Sequence, residues 1–185
     1  TMVNRNFPSE FDNVYPMTLK IQRKLIDCNS QLFIFIKHKT NAISTYALAK
    51  DGTNLRFIDN QTDDMILNVL KNDGTMIIYV KEDKLNKNII NTALEQNGYA
   101  LEYIEHQTKE MCIKAVEQTG FALYFVKEQD KDICIAAVKN DGMALKYVDM
   151  ESEEFKKNST SICIEAVKQN GFSLKYVKKQ NLKIC

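Results

Sequence analysis

Six glycines, and no others, punctuate the chain: Gly52, Gly74, Gly98, Gly120, Gly142 and Gly171, spaced 22, 24, 22, 22 and 29 residues apart. A near-constant period between 20 and 50 residues marks a repeat architecture and constrains the fold more than any composition does. The residues around each glycine repeat with it. Leucine or isoleucine lies three after (Leu55, Ile77, Leu101, Leu123, Leu145, Leu174), and an aromatic ring five after (Phe57, Tyr79, Tyr103, Phe125, Tyr147, Tyr176). A small or β-branched residue lies five before (Ala47, Val69, Ala93, Ala115, Ala137, Ala166).

Twelve before each glycine stand Thr40, Thr62, Asn86, Thr108, Asp130 and Ser159, all side chains that cap a helix N-terminus by accepting from an orphan backbone N–H. Apolar residues nine, eight, five and four before the glycine form a helical stripe about three turns long. The glycine then suits the C′ position, where a positive φ ends the helix. A second, shorter helix carries apolar residues two, three, five and six after the glycine. The chain is therefore expected to be all-α, a helical-repeat solenoid of about seven helix-turn-helix hairpins with a period of about 22 residues. A leucine-rich repeat has a similar period, but its consensus is missing. Moreover, Glu105–His106–Gln107 and Lys127–Glu128–Gln129 favour helix up to the next cap.

The domain reading follows. Residues 1–17 hold both prolines, Pro8 and Pro16, and form a non-repeat N-terminal segment. Residues 18–185 form the array, with repeats at 18–39, 40–61, 62–85, 86–107, 108–129, 130–158 and 159–180. In the first, Ser30 replaces glycine and Thr18 is the cap. The longer spacings place two extra residues near 81–85 and seven near 150–158, the latter as a longer second helix or a charged loop. Residues 181–185 start an eighth helix, with Asn181 at the cap position and Ile184 and Cys185 on its stripe.

Nothing in the sequence points to catalysis. The G-x-x-x-x-G-K-[ST], H-E-x-x-H and G-x-S-x-G patterns are missing, so no catalytic, cofactor-binding or metal-ligating residue is assigned. Of the five cysteines, Cys112, Cys134 and Cys163 share the position eight before glycine. Stacked helices lie about 8–10 Å apart, beyond disulfide reach, so these read as buried, reduced core residues of an intracellular, reducing compartment. His38 and His106 sit three repeats apart, too far to share a metal, and read as solvated. Net charge is +1, which argues against a nucleic-acid partner, and no apolar run approaches membrane-spanning length. The charge is unevenly spread: residues 20–50 carry net +5, 51–154 net −9 and 155–185 net +6.

The run A-V-x-x-x-G-x-A-L-x-Y-V, clearest at 115–126, 137–148 and 166–177, resembles the short repeats of the family called domain of unknown function 4116. Residues 86–180 match well and 18–85 loosely, since Ser30, Lys71 and Ile77 depart from the pattern. The resemblance implies an all-helical repeat array and a viral origin, hence a host cytoplasm location. It carries no activity, ligand or site residue with it.

The expected function is a non-enzymatic protein-interaction or scaffold module for an unknown protein partner. Tyr99, Tyr103 and Phe121, one and five after their glycines, are candidates to line the contact surface. The alternative is a structural, self-associating protein. In that reading Ile162, Val167 and Leu174 are left uncovered on the last hairpin, and that C-terminal repeat makes a homodimer.

Overall fold

The computed structural model describes residues 17–149 and 153–177. The N-terminal segment as far as residue 16, the eighth-helix start and Cys185 lie outside the described residues. Seven α-helices are present among them: α1 (Leu19–Cys28), α2 (Asn41–Lys50), α3 (Asp63–Asn72), α4 (Lys87–Gln96), α5 (Lys109–Gln118), α6 (Lys131–Asn140) and α7 (Glu153–Gln169). Each is followed by a six-residue 3-10 helix, from Ser30–Phe35 to Gly171–Tyr176, and no strand occurs among the described residues. The architecture is the all-α repeat of helical hairpins, about 22 residues apart, that the glycine period predicts.

The caps work as their side chains suggest. The hydroxyl of Thr62 accepts from Met65 N at 3.3 Å, and that of Thr108 from Met111 N at 3.3 Å. The Asp130 carboxylate accepts from Ile133 N at 2.9 Å. Thr40 and Asn86 cap in the same way, whereas Thr18 makes no side-chain cap. The apolar stripe is buried: Ile66, Leu70, Ile89, Leu94, Val116, Val138, Leu123 and Leu145 are each 0% exposed.

Three expectations need correction. The glycines do not end helices in a left-handed conformation, since no described glycine has positive φ. The residue before each glycine makes the turn instead. Asp141, for example, is extended at φ −143°, ψ 113°; its N–H still bonds Ala137 O, and its carboxylate accepts from Met143 N at 2.9 Å. One side chain thus stops the α-helix and starts a 3-10 helix at the glycine. Second, Ser159 is not a cap: it lies inside α7, and the seven extra residues enter the helix from its N-terminal side rather than lengthening the preceding one. The stretch 153–158 holds no glycine or proline to break helix there. Third, residues 105–107 and 127–129 are not helical, because Gln107 and Gln129 turn inward to bond backbone. The extra residues near 81–85 lie where the spacing puts them and form a separate 3-10 turn, Glu82–Lys84.

The chain forms two compact units, residues 1–58 and 59–185. In the first, α1 packs on α2 and the two 3-10 helices pack on each other. In the second, α3 to α7 stack in chain order as one layer, and their 3-10 helices stack in the same order as another.

Candidate interaction surface

The geometry of the second unit starts from what the glycines do. A Cβ built on Gly120 would lie 2.7 Å from the Ala137 carbonyl oxygen of the next hairpin. At Gly74, Gly98 and Gly142 the carbonyls of Ala93, Ala115 and Ala166 would be closer still. Glycine is required by this close backbone approach, not by a turn conformation. The small residue five before each glycine brings that carbonyl in; Ala93, Ala115, Ala137 and Ala166 are all 0% exposed.

The same approach is locked by side-chain amides two residues before each glycine. Gln96 accepts from Gly74 N at 2.5 Å and donates to Asn72 O at 3.0 Å. Gln118 accepts from Gly98 N at 3.1 Å and donates to Gln96 O at 3.2 Å. Asn140 accepts from Gly120 N at 2.7 Å and donates to Glu117 O at 2.7 Å. Gln169 accepts from Gly142 N at 2.6 Å and donates to Asn140 O at 3.2 Å. Each amide satisfies a donor and an acceptor that the preceding helix leaves open at its end.

A second amide row ties the links between hairpins. Gln107 donates to Phe125 O at 2.9 Å and accepts from Lys127 N at 3.0 Å. Gln129 does the same with Tyr147 O and Asp149 N, both at 2.9 Å, and Gln61 with Tyr79 O at 2.8 Å and Lys81 N at 2.9 Å. The thiols of Cys112 and Cys134 donate to Gln107 and Gln129 at 3.7 Å. Cys112, Cys134 and Cys163 are buried and free, while Cys28 is exposed. Burial pushes the Cys112 thiol up, with the Asp130 charge adding to it, and burial raises Cys163 as well. These thiols are poor nucleophiles and serve the packing.

Neither amide row was singled out by sequence reasoning. The signal was present: Asn or Gln stands two before five of the glycines, and Gln61, Gln107 and Gln129 stand nine after theirs.

Two of the candidate aromatic residues, Tyr99 and Phe121, meet a ring of the next hairpin in the 3-10 layer. Tyr99 packs edge-on against Phe125 of the next hairpin at 6.1 Å, and Phe121 against Tyr147 at 5.7 Å. The ring one after glycine in one hairpin thus meets the ring five after glycine in the next. Tyr124 joins the row, 5.1 Å from Phe125 and 5.2 Å from Tyr147, and the Lys146 ammonium lies over the Phe121 and Tyr147 rings at 4.8 and 4.4 Å. Packing does not consume these rings. Tyr99 and Tyr103 remain 37% exposed and Tyr124 66%, whereas Phe121 is half-buried. Tyr124, the most exposed of the row, was not among the sequence candidates.

The last hairpin is different from the expectation. Ile162 is buried at 1% exposure, because its position nine before glycine points into its own hairpin's core, as Ile133 does in α6. Val167 and Leu174 are half-buried, and Phe172, 82% exposed, is the large apolar residue that this hairpin offers. His38 and His106 are exposed, and no group of His, Cys, Asp or Glu suited to a metal occurs among the described residues. No helix of the described residues is long and apolar enough to cross a membrane.

The family model described as Domain of unknown function (DUF4116) matches residues 63–108, 86–129, 108–156 and 130–183. The chain belongs to this family. Most of these DUF4116 matches span two successive hairpins, so each contains the glycine of one and the amide of the next. No curated protein and no solved structure matches the chain.

Proposed function

We propose that this DUF4116 array is a non-enzymatic protein-interaction module whose contact surface is the aromatic row of its 3-10 layer. The observation that carries the reading is the exposure left on rings that already have partners: 66% at Tyr124 and 37% at Tyr99. Aromatic side chains held by their neighbours present large apolar area at small entropic cost, which is what a protein-contact surface needs. Residues 51–154 carry net −9, which favours a basic partner over nucleic acid. The bridging amides and the buried thiols are engaged in holding hairpins together, which supports a non-catalytic role. A reducing compartment suits the buried free thiols, and a viral origin is supported by the family resemblance alone.

The test is peptide display against the full chain, repeated with Tyr124→Ala. At 66% exposure this substitution removes surface rather than core. Selected peptides should lose binding to the variant. Peptides that bind both forms equally would refute the aromatic row as the contact surface. The second reading, self-association through the C-terminal repeat, is favoured by Phe172 at 82% exposure. It expects a dimer by light scattering that Phe172→Glu dissolves.

A further inference from the structure

At Tyr103 the aromatic row lacks a cover that other hairpins supply. The residue four after the glycine is exposed at Arg56, Ile78, Glu102, Tyr124, Lys146 and Lys175. In most of these hairpins it covers the ring that follows it. The Arg56 guanidinium lies 4.5 Å from the Phe57 centroid, the Lys146 ammonium 4.4 Å from that of Tyr147, and the Lys175 ammonium 4.9 Å from that of Tyr176. The Tyr124 ring stands 5.1 Å from Phe125. The four covered rings are half-buried. Glu102 breaks the pattern, because the π-electrons of a ring face repel a carboxylate. Tyr103 is exposed, and no cation lies over it among the described residues. Burial, then the Glu102 charge, raises the Tyr103 phenol, so negative charge stands beside this ring.

From the acid at the covering place and the exposed ring beside it, we infer that the protein partner supplies the missing cover: an arginine side chain, stacked on Tyr103 and paired with the Glu102 carboxylate. Arginine suits both groups. Its guanidinium stacks flat on an aromatic ring, and its N–H groups donate to a carboxylate in a fork that a lysine ammonium lacks. Lys146 shows a cation in the equivalent place within the chain, over the Phe121 and Tyr147 rings at 4.8 and 4.4 Å. Net −9 over residues 51–154 draws a basic segment to this part of the chain. An arginine here presupposes that the aromatic row is the contact surface, and so rests on that reading.

The probes are a short amidated peptide of alternating alanine and arginine and its lysine counterpart, titrated into full-length chain whose tyrosine rings carry a carbon-13 label. The arginine peptide should shift the Tyr103 ring signals saturably at millimolar concentration, and should bind severalfold more tightly than the lysine peptide. Glu102→Lys puts a cation of the chain's own in the covering place and should weaken binding roughly tenfold; Glu102→Gln, which removes only the charge, should weaken it less. Glu117→Lys makes the same change of charge on the exposed surface of α5 and should leave binding within about twofold. No shift at Tyr103, equal binding by Glu102→Lys, an equal loss with Glu117→Lys, or equal binding of the two peptides would each overturn the arginine assignment. Should display-selected peptides still depend on Tyr124 in that event, the contact surface stands without the arginine; should they not, the surface itself fails.

Discussion

The two units solve one problem, joining a hairpin to the next, with different chemistry. In the second unit a glycine admits the next backbone, and a neutral amide bridges it. In the first, Ser30 stands at the glycine position and reaches across with its hydroxyl to Asp51 at 3.0 Å. Gln31 donates to the same carboxylate at 2.9 Å, and Arg56 donates to Gln31 at 3.0 Å. Lys50 pairs with Asp27 at 2.9 Å, and the Tyr46 hydroxyl donates to Asp27 at 2.7 Å. A Cβ at the junction is thus accommodated by side chains that meet at longer range, and charge takes over from close approach. All four family matches lie in residues 63–183, so the family pattern coincides with the amide junction and not with the charged one.

The largest effect should come from filling a glycine in the second unit. Gly142→Val forces a side chain into the Ala166 carbonyl and should cost about 3 kcal/mol in denaturant unfolding. Gly171→Ala, with open space around it, should be neutral or stabilise by about 0.5 kcal/mol. Equal shifts for the two would break the close-approach account.

Next comes the amide. Gln96→Ala removes the acceptor for the buried Gly74 N–H and should cost about 1–2 kcal/mol. The first unit has no such amide: Lys50, two before Gly52, holds that position, is exposed and pairs with Asp27 at 2.9 Å, so Lys50→Ala should lower the melting temperature less than Gln96→Ala does. Thermal melts of both variants compare the junctions directly.

The charged junction should respond to acid. Burial alone would raise Asp51, but hydrogen bonds from the Thr53 hydroxyl and N–H, Ser30 and Gln31 outweigh it and hold its carboxyl below the usual range. Its folded pKa is depressed, so its contribution is present above the unfolded value of about 3.9 and lost as pH falls through the folded value. Between pH 5 and pH 2, amide protection in 30–57, taken relative to the unfolded-chain exchange rate at each pH, should therefore fall in a way that Asp51→Asn removes. The amide bridges at Gly98 and Gly142 contain no group that titrates there. Unchanged acid response in Asp51→Asn would refute the role assigned to this carboxylate.

The smallest effect is kinetic. Thiol labelling of the native protein should modify Cys28 fast and Cys112, Cys134 and Cys163 slowly, since the latter are buried and burial raises two of them above the ordinary thiol range. Fast labelling of all four would place these cysteines outside the core.

What the sequence determined by itself is the repeat. The glycine period, the caps at Thr40, Thr62, Asn86, Thr108 and Asp130, and the buried stripe follow from local preference and 3.6-residue periodicity, which act within one hairpin. Cys112, Cys134 and Cys163 could be placed in the core on the same ground. The purpose of the glycines could not. A glycine after a helix fits a left-handed turn and a close contact equally well, and only the neighbouring hairpin's Ala carbonyl distinguishes them. Ser159 misled for a related reason: a capping side chain can also sit mid-helix when nothing before it breaks the helix, as in α7. The candidate surface was half legible. Tyr99, Tyr103 and Phe121 stand out by period, but exposure is a property of the stack, which left Tyr124 and Phe172 outside and took Ile162 into the core. Period and capping are local and travel with the sequence; which atoms face a neighbour is decided only when a second hairpin is laid on the first.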